Sequence, residues 1–180
     1  MEAGAWWHMP KNRGIVPSSH IKIKTNVEVT YMALERTYAM LKPGVLSRRI
    51  AGEIISRIER KGFDIIGFKI MRIPRELAEK HYAEHKDKPF FGELVDYITS
   101  GPVIAMVLEG EQAVKMLRLM CGSTKPEEAL PGTIRGDYAM HTNINIIHAS
   151  DSPEAATREI GLFFKPEELV CWSDGNKDWI

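Results

Sequence analysis

From Thr37 onward the apolar positions of this chain switch repeatedly between two spacings. Tyr38 to Leu41 is a short continuous apolar run closed by Lys42-Pro43. A residue before proline is pushed towards extended geometry, which places Lys42 at a strand end with its ammonium projecting from a sheet edge. Ile50, Ile54 and Ile58 then recur every fourth residue, with Arg49, Glu53, Arg57 and Lys61 on other faces, and Gly62 follows. That pattern predicts an amphipathic helix with a glycine close. Ile65 to Met71 reads as a second strand, Pro74 opens a helix through Glu76, Ala78 and Tyr82, and Phe91 to Ile98 forms another that leads to Gly101-Pro102. Val103 to Leu108 is unbroken in its apolar character, the mark of a central strand buried on both faces. Ala113 to Met120 is helical, Asn145 to His148 is a short strand, and Ser152-Pro153 supplies an N-cap and a first-turn proline to a last helix with Ala156, Ile160 and Phe163 inside.

Strands and helices in this order predict an α+β fold, the split ferredoxin-like sandwich, in which a four-stranded antiparallel sheet carries helices over one face. Between the fourth helix and the last strand, Ser123 to Gly132 holds two prolines and a glycine and reads as a long loop, a place where function concentrates. Residues 1–32 differ from the rest: Trp6-Trp7, Pro10, Gly14, Pro17-Ser18-Ser19 and a short alternating run show no helical period. They are read as an extension to a domain spanning 33–180. A tag or upstream start, a targeting segment and an extra strand remain open for it, and Met32 stands where the regular pattern begins.

Composition narrows the function. The 180 residues carry 24 basic and 24 acidic side chains, so the molecule lacks the field of a dedicated nucleic-acid binder and any anion site must be local. No stretch approaches a membrane span, and no membrane partner is expected. Cys121 and Cys171 stand far apart with no CxxC pair, which suits a reducing compartment, so a cytoplasmic location is expected. His148 ends its strand just before small residues and a helix start, Ala149-Ser150-Asp151-Ser152. A lone histidine beside apolar residues is more often a packed core residue. This one, however, has room for a tetrahedral group beside a helix N-terminus that favours negative charge, and neutral imidazole is a nucleophile near pH 7. Lys42, Arg118, Thr124 and Arg135 are candidate phosphate contacts, each also readable as a solvated surface group.

The runs Thr37-Tyr38-Ala39-Met40-Leu41-Lys42-Pro43, Lys88-Pro89-Phe90-Phe91, Ser100-Gly101-Pro102-Val103, Pro131-Gly132-Thr133-Ile134-Arg135-Gly136-Asp137 and Asn145-Ile146-Ile147-His148-Ala149-Ser150-Asp151 together resemble the nucleoside diphosphate kinase family in order and spacing, from about residue 35 to the end. The resemblance implies a phosphotransferase that moves the γ-phosphoryl group of a nucleoside triphosphate, typically ATP, to a nucleoside diphosphate through a phosphohistidine. It implies that His148 is the nucleophile, with Glu159 holding its other ring nitrogen. Lys42, Tyr82, Arg118, Thr124, Arg135 and Asn145 match positions that bind phosphates, the sugar hydroxyl or the surroundings of the histidine. Phe90 matches the residue under the base, with Leu94 beside it. It further implies Mg²⁺ carried by the nucleotide with no metal ligand set of the protein's own, and a homo-oligomer, a hexamer in preference to a tetramer. The chain departs from the family pattern at Gly44, Thr142 and Ala149.

Two rival readings accompany it. His81-Tyr82-Ala83-Glu84-His85 fits H-x-x-E-H, a zinc-peptidase pattern that needs both histidines on one helix face. The other rival is a non-catalytic relative that keeps the fold as an assembly module.

Overall fold

The computed structural model describes residues 34–172, so the N-terminal segment set apart above lies outside the described residues. Strand β1 (Leu34–Leu41) runs antiparallel to β3 (Pro102–Glu111), with Leu34 opposite Glu111 and Leu41 opposite Ile104. On the far side of β3 lies β2 (Asp64–Arg72), and on the far side of β1 lies the short β4 (Ile147–Ala149), which sets His148 opposite Met40. The four-stranded sheet therefore has the order β2-β3-β1-β4, the antiparallel sheet expected of a ferredoxin-like sandwich.

Helices cover both faces of this sheet, where the sequence reading placed them on one. Successive residues of a strand point to opposite sides. Ala39, Leu41, Ile104, Met106 and Leu108 share one core with Ile54 and Ile58 of α1 (Ala51–Arg60) and with Ala113 and Leu117 of α4 (Ala113–Cys121). Tyr38, Met40, Val103, Ala105 and Val107 share the other with Ala78 of α2 (Arg75–His81), Val95 and Ile98 of α3 (Phe91–Thr99) and Phe163 of α6 (Pro153–Phe163). The unbroken run in β3 follows from this double cover. Ile54 and Ile58 are wholly buried, and burial of such a side chain contributes roughly 1.5–3 kcal/mol.

Local chemistry sets the ends of these elements. Ser152 caps α6 by accepting the Ala155 N–H at 3.1 Å, with Pro153 in the first turn, as the sequence predicts. A short helix escaped the sequence reading: α5 (Ile134–Tyr138), capped by Thr133, whose Oγ1 accepts the Gly136 N–H at 3.1 Å. The last strand begins later than Asn145. Ile146 has φ of 70°, and the Ile147 N–H closes back onto the Asn145 carbonyl at 2.7 Å. This is a γ-turn, strained for a β-branched residue. It separates Asn145 from the strand that carries His148. None of the helices among the described residues is long and apolar enough to cross a membrane.

Candidate active site

The register fixes which way His148 faces. Opposite Met40 on β1, it shares the sheet face of Tyr38, and its ring lies 5.9 Å from the Tyr38 ring, itself stacked on Phe163 of α6 at 4.7 Å. One turn before Phe163 on the same helix stands Glu159, so the packing that buries the aromatic also delivers the carboxylate. Glu159 Oε1 lies 2.9 Å from His148 Nε2, and Glu159 Oε2 accepts the Ser150 hydroxyl at 2.5 Å. Burial acts to raise the Glu159 carboxyl; the hydrogen bond and charge of His148, with the Ser150 bond, outweigh it and hold the group below its ordinary value. An ionised carboxylate can only accept, so Nε2 carries a ring proton, and in the neutral imidazole Nδ1 then keeps the lone pair.

Above this group the cations gather. Lys42 does not project from a sheet edge, because β1 is an inner strand; its ammonium is buried and donates to Asn145 Oδ1 at 2.7 Å. Burial and the neighbouring charge of Arg135 lower its pKa to about 7. Arg135, carried by α5, donates to the carbonyls of Gly122 at 2.7 Å and Ile147 at 2.8 Å, and its Nε has no hydrogen-bond partner among the described residues. Its fork is thus braced against the backbone at both ends of the loop that joins α4 to β4. Arg118 on α4 and Thr124 in that loop are exposed at the same cleft. Tyr82 is buried, and its hydroxyl has no hydrogen-bond partner among the described residues; burial and the charge of Glu159 push its phenol up, so it remains an O–H donor.

The other end of the cleft is apolar. Phe90 is 47% exposed, with Leu94 one turn further along α3 and the Thr142 to Ile144 segment also on the lining. Every site residue singled out in the sequence lines this one cleft of about 690 Å³: His148, Glu159, Lys42, Tyr82, Phe90, Leu94, Arg118, Thr124, Arg135 and Asn145.

Sequence reasoning missed Ser150 as the second anchor of Glu159 and Tyr38 as the floor of the histidine. The spacing His148-x-Ser150 on a strand would have put both on one face. His81 also belongs here. Its ring lies 4.6 Å from that of His148, and burial and the charge of His148 lower its pKa to about 3, so it stays neutral. The zinc-peptidase geometry does not form: α2 stops at His81, Ala83–His85 is a separate tight turn, and Glu84 pairs with Arg158 of α6.

An apolar shelf at one end, donors for several phosphate oxygens in the middle and a carboxylate-held imidazole at the floor suit an enzyme that moves phosphate on a nucleotide. Comparison with known proteins agrees. The family model for nucleoside diphosphate kinase matches residues 35–169. A nucleoside diphosphate kinase of Archaeoglobus fulgidus is 55% identical over 147 residues, covering 82% of this chain and 97% of that protein, and one of Bacillus licheniformis is 59% identical over 147 residues, covering 82% and 99%. Among solved structures, a halophilic nucleoside diphosphate kinase from Halobacterium salinarum in complex with CDP superposes with a TM-score of 0.79 at 50% identity, covering 81% of this chain and 97% of that one. The chain belongs to the nucleoside diphosphate kinase family, and its activity is phosphoryl transfer between nucleotides.

Proposed function

We propose that His148 is the residue that receives the phosphoryl group, and that it reacts through Nδ1. The observation that carries this is the 2.9 Å contact of Nε2 with Glu159, which leaves Nδ1 as the nitrogen with a lone pair. In the first half-reaction the Nδ1–phosphorus bond forms as the bond from the γ-phosphorus to the β–γ bridging oxygen breaks. The electron pair leaves with the diphosphate, and the proton stays on Nε2. The positive charge that develops on the ring faces Glu159. A second nucleoside diphosphate then attacks the phosphohistidine and the steps run in reverse, a ping-pong cycle. Lys42, Arg118, Thr124, Arg135 and Asn145 provide fixed donors for the phosphates, Tyr82 adds its hydroxyl, and the rate enhancement comes from positioning and charge stabilisation.

Phe90 and Leu94 offer the base a surface for stacking and apolar contact. Neither reads a base edge, which fits acceptance of purine and pyrimidine nucleotides alike. Mg²⁺ suits this cleft as a passenger on the β- and γ-phosphates. Glu159 is already engaged by His148 and Ser150, and Asp151 is the carboxylate beside them on the lining that would reach the ion through water. Bound there, the ion neutralises phosphate charge.

We further infer a homo-oligomer built from dimers, a hexamer. Half-exposed Phe68 and Ile70 on β2, an outer strand of the sheet, and Leu130, 73% exposed in the Ser123 to Gly132 loop, support subunit contacts. A cytoplasmic location is supported by the free thiols of Cys121 and Cys171. The catalytic reading is tested by mixing the protein with γ-labelled ATP and magnesium and then chasing with unlabelled GDP. Label that stays on the protein until GDP removes it as GTP supports the cycle; a His148→Gln protein that takes up label equally well overturns it.

A further inference from the structure

His81 is not needed for the chemistry above, and its surroundings are unusual. Its side chain is almost wholly buried, and neither ring nitrogen has a hydrogen-bond partner among the described residues. Buried polar groups are nearly always partnered, and an exception calls for a specific explanation, a bound ion among them. His81 Nδ1 lies 3.7 Å from Glu159 Oε1, which is itself 2.9 Å from His148 Nε2. One ligand atom from each of the three residues can be drawn so that all lie within 4.8 Å of one another. Around a four-coordinate zinc-type ion with bonds of about 2.0–2.1 Å, neighbouring ligand atoms stand about 3.3 Å apart. The two contacts above bracket that spacing. Two imidazoles, one carboxylate and a position open to the cleft make a recognised donor set for such an ion.

We propose that His81, His148 and Glu159 form a site for a zinc-class divalent transition-metal ion, and that its occupancy switches phosphoryl transfer off. The ion takes the Nε2 lone pair of His148, an oxygen of Glu159 and a ring nitrogen of His81. Water from the cleft completes the four. A neutral imidazole bound through Nε2 keeps its one proton on Nδ1. The proton that Nε2 held therefore moves across the ring, and the Nδ1 lone pair is lost to the reaction. No bond to phosphate is needed for this block. Lys42, Arg118, Thr124 and Arg135 are untouched, so the nucleotide still binds. Magnesium prefers oxygen ligands and keeps its waters, so it does not compete for two imidazole nitrogens. His81 is the first residue of the H-x-x-E-H pattern, but its partners come from β4 and α6 and not from its own helix.

The inhibitory half of this proposal rests on the Nδ1 reading above; the binding half does not. The test uses the full chain, freed of metal with a chelator, and two probes, Co²⁺ and Zn²⁺. Wild-type protein binds one Co²⁺ more per chain than His148→Gln, His81→Phe or Glu159→Gln, and that ion gives the intense visible absorption of a four-coordinate site. Each variant is first checked for fold by circular dichroism, and the three substitutions serve as replacements for one another if any fails to fold. Zn²⁺ at micromolar levels, with magnesium in excess, slows labelling of wild-type protein by more than about tenfold while ADP affinity stays within about twofold. Equal Co²⁺ stoichiometry in wild type and all folded variants overturns the site. Zn²⁺ that weakens ADP binding as strongly as it slows labelling overturns the mode of inhibition. Chelator-treated protein that takes no label once magnesium is restored defeats the catalytic reading, while the Co²⁺ count still judges the site alone.

Discussion

His148 on β4 and Glu159 on α6 meet at 2.9 Å between Nε2 and Oε1, and Ser150, two residues along the chain from the histidine, takes the other carboxylate oxygen at 2.5 Å. The carboxylate is thus held at both oxygens by the segment it orients, and the geometry selects one tautomer of the imidazole. Replacing Glu159 with Gln removes the negative charge that faces the ring and lets the amide present either its oxygen or its N–H to Nε2, so the tautomer is no longer fixed and the developing imidazolium loses its counter-charge. The phosphorylation rate of Glu159→Gln falls by roughly a hundredfold or more, with ADP affinity near that of wild type, as read by rapid quench and by titration. Ser150→Ala leaves a buried carboxylate oxygen without its partner and lowers stability by about 1–3 kcal/mol, measured by denaturant unfolding.

The Lys42 ammonium carries a pH signature. Its pKa of about 7 in the folded protein lies below the ordinary 10.5. Between those values the unfolded chain binds the proton that the folded chain has given up, so this group makes stability rise with pH from about 7 towards 10.5 and contributes a constant penalty below 7. Phosphates restore the charge. Near pH 8, ADP binding takes up most of one proton, seen as a dependence of the calorimetric enthalpy on buffer ionisation heat. Lys42→Met loses both the uptake and much of the affinity.

Gly122, at the end of α4, has φ of 76°, and a Cβ placed there would stand 2.3 Å from Thr133 Oγ1 and 2.8 Å from Thr133 Cβ. Thr133 caps the helix that carries Arg135, and Arg135 bonds to the Gly122 carbonyl. Gly122→Ala therefore combines backbone strain with a clash and costs about 2–4 kcal/mol. Denaturant unfolding reads that loss, and the same variant binds ADP more weakly because Arg135 shifts.

Phe90 is half exposed, and stacking of one base on an aromatic ring contributes roughly 1–3 kcal/mol. Phe90→Ala raises KM about 10- to 100-fold for ADP, GDP and CDP alike, with little change in thermal stability. A loss confined to one base would contradict the stacking role.

How much of this was readable in the chain depended on distance along it. Local signals worked. The fourfold spacing of Ile50, Ile54 and Ile58, the Lys42-Pro43 strand end and the Ser152-Pro153 cap each mark structure within a few residues of themselves. The unbroken apolar run Val103 to Leu108 marked burial on both faces, but with no alternation it could not say which elements cover either, and the second helical layer was left out for that reason. The turn at Ile146 was hidden for a different reason: a β-branched residue is among the least expected at positive φ, and the fold imposes it. The candidate residues that line the cleft came from spaced motifs taken together. Ser150 and Tyr38 were missed, and His81 was read only as part of a zinc-peptidase pattern on its own helix, because their places at the site exist only where β1, α2, β4 and α6 converge, a meeting that no local pattern records.

The most direct test of the account is to phosphorylate protein labelled with ¹⁵N in its histidine rings and to read phosphorus–nitrogen coupling by NMR in the intact, freshly labelled chain. The account predicts phosphorus bonded to Nδ1 of His148, with Nε2 still protonated and facing Glu159, and no such signal in His148→Gln. Phosphorus bonded to Nε2 of His148, or carried by another residue, would contradict it.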